Sequence, residues 1–158
     1  MELEEIMKAF AEEIGIVGVT ADADGAYHFD IDGIGVMFAT AGDGVRLGMF
    51  AEIGEPPREG REVVYRALLE AMSPGGAVDG LTFSIPQGTD RVVLHRADPL
   101  VTTDYPAFKA RLENLVNAAE DWRRNIVDFP ALYEKVQRAA QTAKNMSREF
   151  GQNGFLQV

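Results

Sequence analysis

The chain has 158 residues, enough for one hydrophobic core and too few to need two, and 46% hydrophobic with 25% charged residues exclude a disordered polypeptide. A formal net charge of -10 argues against nucleic acid and anionic membrane as partners, and the absence of cysteine excludes disulfides, thiol nucleophiles and thiolate metal sites. No apolar run approaches the roughly 20 residues that span a bilayer, and the acidic start Met1-Glu2-Leu3-Glu4-Glu5 lacks a signal peptide's basic flank, so a cytoplasmic protein without membrane insertion is expected.

Leu3, Ile6, Met7, Phe10 and Ile14 recur at helical spacing, with glutamates between them and Gly15 as a stop, and predict a first helix. From Tyr27 the period changes to two, with Tyr27, Phe29 and Ile31 alternating with His28, Asp30 and Asp32. The turn Asp32-Gly33 then predicts a hairpin into Ile34 to Ala39, and the turn Ala41-Gly42-Asp43-Gly44 leads into Val45, Leu47, Met49, Ala51 and Ile53 on one face. Glu55-Pro56-Pro57 closes this three-strand meander, since neither proline can donate to a ladder.

Arg61 to Met72 predicts a second helix, and its apolar band (Val64, Tyr65, Leu68, Leu69, Ala71, Met72) is wide enough to suggest burial on two sides. After Ser73-Pro74-Gly75-Gly76, Leu81, Phe83 and Ile85 alternate as a fourth strand. Arg91 to Ala97 gives a fifth, with Val92 and Leu94 on one face and Val93 and His95 on the other. Asp104 caps a third helix through Phe108, Leu112, Leu115, Ala119 and Trp122. Asp128-Phe129-Pro130-Ala131-Leu132 echoes Asp104-Tyr105-Pro106-Ala107-Phe108, which predicts a fourth helix with Leu132, Tyr133, Val136, Ala140 and Ala143 on one side. The expected organisation is a domain at 1–127, an additional helix at 128–150 and a loose tail at 151–158. Charge divides at nearly the same place: residues 1–122 hold 22 acids against 9 Lys/Arg, a balance of -13, and residues 123–158 hold 3 against 6, a balance of +3.

Catalytic patterns are sparse. His28 and His95 lie on separate strands without metal-ligand spacing, no nucleophile-elbow pattern surrounds Ser73, Ser84 or Ser147, and the glycines at 33, 35, 42, 44 and 48 form neither a dinucleotide fingerprint nor a Walker loop. Asp22-Ala23-Asp24-Gly25 begins like a calcium loop, but the position that needs a bidentate Glu is Ile31. No catalytic residue, metal or cofactor is therefore expected, and a small hydrolase or isomerase would rest only on scattered acids and two histidines. Apolar supply is the unusual feature: Met7, Phe10, Met37, Phe38, Met49 and Phe50 exceed what a few helices over one sheet face would hide, and flexible methionines suit a surface that adapts to partners.

The order helix, three strands, helix, two strands, helix in a small acidic chain resembles the Tir-chaperone (CesT-like) family of type III secretion chaperones. The resemblance covers about residues 1–126 and is carried by Val63-Val64-Tyr65-Arg66-Ala67-Leu68-Leu69-Glu70-Ala71, by Leu81-Thr82-Phe83-Ser84-Ile85 with Arg91-Val92-Val93-Leu94-His95-Arg96, and by Phe108-Lys109-Ala110-Arg111-Leu112-Glu113-Asn114-Leu115-Val116. These are fold-pattern matches without an invariant chemical motif. The resemblance implies an α+β fold, a mainly antiparallel sheet packed with helices, with the extra C-terminal helix as the departure from it.

It further implies a homodimer in the bacterial cytoplasm that holds an N-terminal segment of a secreted effector ready for export without ATP, with the secretion ATPase as a further candidate partner. By this analogy Leu3, Met7, Phe10, Ile31, Met37, Phe38, Leu47, Met49 and Phe50 receive cargo. Val64, Tyr65, Leu68, Leu69, Met72, Leu81, Phe83 and Ile85 form the dimer contact. The alternative is an adaptor or regulator of the same fold that binds a folded partner outside secretion. For the region after Asp128 three roles stay open: bracing a dimer, covering a cargo groove, or docking on an acidic face of its own domain.

Overall fold

The computed structural model describes residues 2–41, 44–78 and 80–153, and within its last helix gives the backbone alone at 132, 135, 136, 139, 140 and 149–153. In chain order it contains α1 (Leu3–Glu13), β1 (Tyr27–Ile31), β2 (Ile34–Ala41), β3 (Arg46–Gly54), α2 (Arg61–Ala71), β4 (Thr82–Ser84), β5 (Val92–Pro99), a 3-10 turn (Leu100–Thr102) and α3 (Tyr105–Asn153). The strands form one antiparallel sheet in the order β1-β2-β3-β5-β4, so the fold is the expected α+β arrangement.

Local chemistry accounts for the ends of these elements. Glu2 and Glu5 form a reciprocal capping box at the start of α1, and Gly15 just beyond it takes the left-handed φ of 76° that a helix stop favours. Asp32 and Gly33, at φ of 53° and 79°, make the hairpin turn whose twist matches the strands it joins, which sets Ile31 opposite Ile34. The Asp104 carboxylate accepts the Ala107 N–H at 2.9 Å and caps α3 as expected. The middle of the second predicted turn, residues 42 and 43, lies outside the described residues.

Strand alternation then sorts side chains to two unequal faces. Phe29, Val36, Ala51, Leu94 and Phe83 are register partners across the five strands, and all are buried beneath the helices. At the centre, the rings of Phe10, Phe29, Phe38 and Phe108 meet edge-on or tilted at centroid separations of 5.1 to 6.1 Å. Such pairs add about 0.5–1.5 kcal/mol each beyond their buried area, and they lock α1 and α3 onto the same face of the sheet. Trp122 packs as expected, edge-on to Phe83 at 5.0 Å.

Four expectations are corrected. The strand face begins at Leu47, since Val45 precedes β3 and is exposed. Helix α2 buries Val64, Ala67, Leu68 and Ala71 but leaves Leu69 66% exposed, so one side is covered and the other is open. No new helix begins at Asp128, because α3 runs through Pro130 without a break. Proline suits a helix start, and in a helix interior it removes one backbone hydrogen bond and crowds the carbonyl four residues back, a cost that tertiary contacts offset here. Ile126 is 2% exposed, Phe129 packs on the core, and Pro130 sits against Gly60, 2.9 Å from where a Cβ there would lie. Finally, the helix continues to Asn153 where a loose tail was expected from 151, and residues 154–158 lie outside the described residues, as do the side chains of Leu132, Val136 and Ala140.

Candidate binding surfaces

The face of the sheet opposite the helices is a shallow apolar trough. His28, Met37, Phe50, His95 and Thr82 lie side by side across the five strands, and Val93 flanks them on β5. A glycine deepens it: Gly48 leaves room for the Phe50 ring, whose Cε2 lies 2.7 Å from the position a Cβ at Gly48 would take. Phe50 also stacks on His95 with centroids 5.6 Å apart, and partial burial holds the His95 imidazole below its ordinary pKa. The concavity over Phe29, Val36, Met37, Phe50 and Val93 measures about 590 Å³, and Glu52, paired with Arg91, stands on its rim.

A second apolar groove of about 310 Å³ runs between α2 and β4, lined by Tyr65, Leu68, Leu69, Met72, Phe83, Ile85 and Val92. The backbone N–H of Phe83 donates to the Met72 Sδ at 3.0 Å, which brings the end of α2 to the edge strand. Since β4 pairs only with β5 among the described residues, its other edge is open to a partner strand.

The residues expected to receive cargo separate accordingly. Leu3, Met7 and Phe10 of α1 and Phe38, Leu47 and Met49 of the meander are buried in one core cluster with α3, so a single copy does not display them as the expectation required. Ile31 is half-buried beside α1 and α3, where Phe10, Ile14, Ile16 and Leu112 line a separate groove. Of the nine, Met37 and Phe50 reach the open trough. Of the expected dimer residues, Val64, Leu68, Leu81 and Phe83 are buried in the chain's own core. Tyr65 and Met72 are half-buried, and Leu69 and Ile85 are exposed.

Val93 and His95 were missed as surface residues. Their signal was a strand apolar on both faces, which one-sided cover leaves half open. Ile14, the last residue of the predicted helical stripe, is exposed at the end of α1, as are Ile16 and Val17 beyond it, which no periodicity marked. The Asp22 turn proves to be local structure, its carboxylate accepting the N–H groups of Asp24 and Ala26 and contacting His28 at 2.8 Å. Among the described residues, no cluster of three or more metal-ligating side chains occurs.

One largely buried ionic joint holds β5 to α3. Arg96 donates two hydrogen bonds to Asp98, at 2.7 and 3.0 Å, and Arg111 approaches the same carboxylate at 3.6 Å while donating to Thr103, which is 1% exposed. The Arg96 hydrogen bonds, ahead of the surrounding cationic charge, hold the Asp98 carboxyl below its ordinary 3.8. A carboxylate lowered on folding stabilises above its unfolded pKa and loses that contribution as pH falls through the folded value. Thermal melts should therefore show stability falling below about pH 4. In Asp98→Asn that acid loss should be shallower and the neutral-pH stability lower.

The sequence pattern of the Tir chaperone protein (CesT) family matches residues 5–123. The chain belongs to that family. CesT-family proteins are chaperones of type III secretion, and the fold agrees with theirs. The chain is similar to the crystal structure of the ExsC-ExsE complex, with a TM-score of 0.62 and 22% identity over 80% of this chain and 98% of that one. It is similar also to the HopA1-SchA chaperone-effector complex, at TM-score 0.63 and 16% identity over 77% and 92%. A third is the Yersinia pestis type III secretion chaperone SycH in complex with a stable fragment of YscM2, at TM-score 0.56 and 18% identity over 75% and 97%. At such identities the likeness speaks for the fold. No curated protein sequence matches significantly.

Proposed function

We propose that this CesT-family chain works as a homodimer that binds an extended N-terminal segment of one or more secreted effectors and keeps it ready for export without ATP. The observation that carries this reading is the bare sheet face. Met37, Phe50, Val93 and His95 form an apolar row with no described helix over it, and an extended segment can place alternate side chains in such a trough. Holding by burial needs no nucleotide, because the free energy comes from apolar surface removed from water. The HopA1-SchA structure, a chaperone-effector complex on the same fold, supports the assignment of cargo class.

The dimer is proposed to form through the groove of Tyr65, Leu69, Met72 and Ile85 together with the open edge of β4. Leu69 at 66% and Ile85 at 41% exposure are apolar side chains that a second copy would cover. Action in the bacterial cytoplasm, with the secretion ATPase as a further partner that receives the loaded complex, follows from the same reading.

Co-expression with effectors encoded nearby tests it, with complex mass measured by light scattering. The expected result is a dimer of the chain that retains an effector. A persistent monomer that retains none of them would refute it. In the same assay Leu69→Glu should give monomers while thermal stability changes by no more than about 0.5 kcal/mol, because the side chain is solvent-facing within one copy.

A further inference from the structure

Helix α3 outlasts the body it packs on. Its last described anchors are Phe129 against the core, Pro130 on Gly60, and half-buried Tyr133, which lies near Arg66 of α2. Among the described side chains after Tyr133, every one is exposed: Glu134, Gln137, Arg138 and residues 141–148. Their described hydrogen bonds stay within the helix, as Arg138 to Glu134, Gln141 to Asn145 and Thr142 to the Arg138 carbonyl. At about 1.5 Å per residue this arm reaches about 30 Å beyond Tyr133.

An arm of this kind is marginal alone. Side-chain pairs one turn apart add only about 0.2–0.5 kcal/mol each, and most helical stability in proteins comes from packing on another surface. Charge indicates which surface. Beyond Tyr133 the arm holds Lys135, Arg138, Lys144 and Arg148 against Glu134 and Glu149, a balance of +2 that opposes -13 over residues 1–122, so the acidic body of this same protein is the complementary partner. The described side chains of the arm leave their own body behind, and the arm departs past Gly60 and Arg66 beside α2, the helix whose open side is read above as the dimer contact. The family match ends at residue 123, so the arm lies outside the matched region.

We propose that the α3 arm lies along the acidic surface of a second copy and clamps the dimer. The proposal rests on the homodimer reading and deepens it. Sedimentation equilibrium over a dilution series tests it on the full chain, on a chain ending at Tyr133, and on the full-length triple variant Arg138→Glu, Lys144→Glu, Arg148→Glu, with circular dichroism to check that each body folds.

The expected result is a dimer dissociation constant raised about tenfold or more in both variants, roughly the effect of 1.4 kcal/mol. The full chain should also weaken more steeply than the variants between about 0.05 and 0.5 M salt. Equal dimer strength in all three proteins would overturn the clamp and leave the dimer standing. A full chain that is monomeric at every concentration would bring down the homodimer reading and the clamp with it. Unchanged dimerisation with weakened effector binding in the truncated chain would overturn the clamp and assign the arm to cargo.

Discussion

Phe38→Ala is expected to lower unfolding stability by about 3–5 kcal/mol, the range for truncating a fully buried aromatic side chain. Phe38 is wholly buried and its ring meets those of Phe10, Phe29 and Phe108, so closing the gap would require several rings to move together. Against a typical total of about 5–15 kcal/mol this is a large fraction. Urea titration followed by circular dichroism would measure it, and for a chain of this length the melting temperature should fall by roughly 10 °C. Any loss of effector binding in this variant should track the loss of fold. A stability change under about 1 kcal/mol would mean that the aromatic cluster does not hold α1 and α3 together.

Phe50→Asp should behave in the opposite way. The Phe50 ring lies in the open trough, across Gly48 and against His95, so a carboxylate there meets water in the free protein and apolar side chains in a loaded one. The charge would have to be desolvated for cargo to seat. Effector affinity, read by calorimetry or by co-purification, should fall by about 2 kcal/mol or more, roughly 30-fold, as for a central interface residue. The melting temperature should change little by comparison. Undiminished affinity in a folded Phe50→Asp protein would remove the sheet trough as the cargo surface, and the groove at α2 and β4 would have to be reconsidered for that role.

Phe38 and Phe50 illustrate how far the amino-acid pattern reached. Both belong to apolar strands of the meander, and alternation within each strand separates their faces, yet nothing local states which face the helices will cover. Period two from Tyr27, the Asp32-Gly33 turn, the Asp104 cap and the stripe from Phe108 to Trp122 were legible because each depends on residues a few positions apart. The direction of cover depends on α3, which is far from β2 in sequence and meets it only in the folded chain. For that reason Leu3, Met7, Phe10, Phe38, Leu47 and Met49, all expected to receive cargo, are core, while Val93 and His95 of β5 join Met37 and Phe50 on the open side.

The helix boundary at Asp128 failed for a related reason. A proline two residues after an aspartate suits a helix start, and the same spacing is tolerated inside a helix when neighbours hold both sides. Ile126 in the core and Pro130 on Gly60 supply that hold, and Gly60 lies far away in the chain, just before α2. From the order of its residues alone, this protein's acidity and its element order through α3 were determined, because composition and short-range periodicity are local properties, and the resemblance carried by that order implied the α+β class. Which apolar side chains remain outside, and that α3 continues as one arm, were decided only by tertiary packing, because burial is a property of the surface that arrives from elsewhere in the chain.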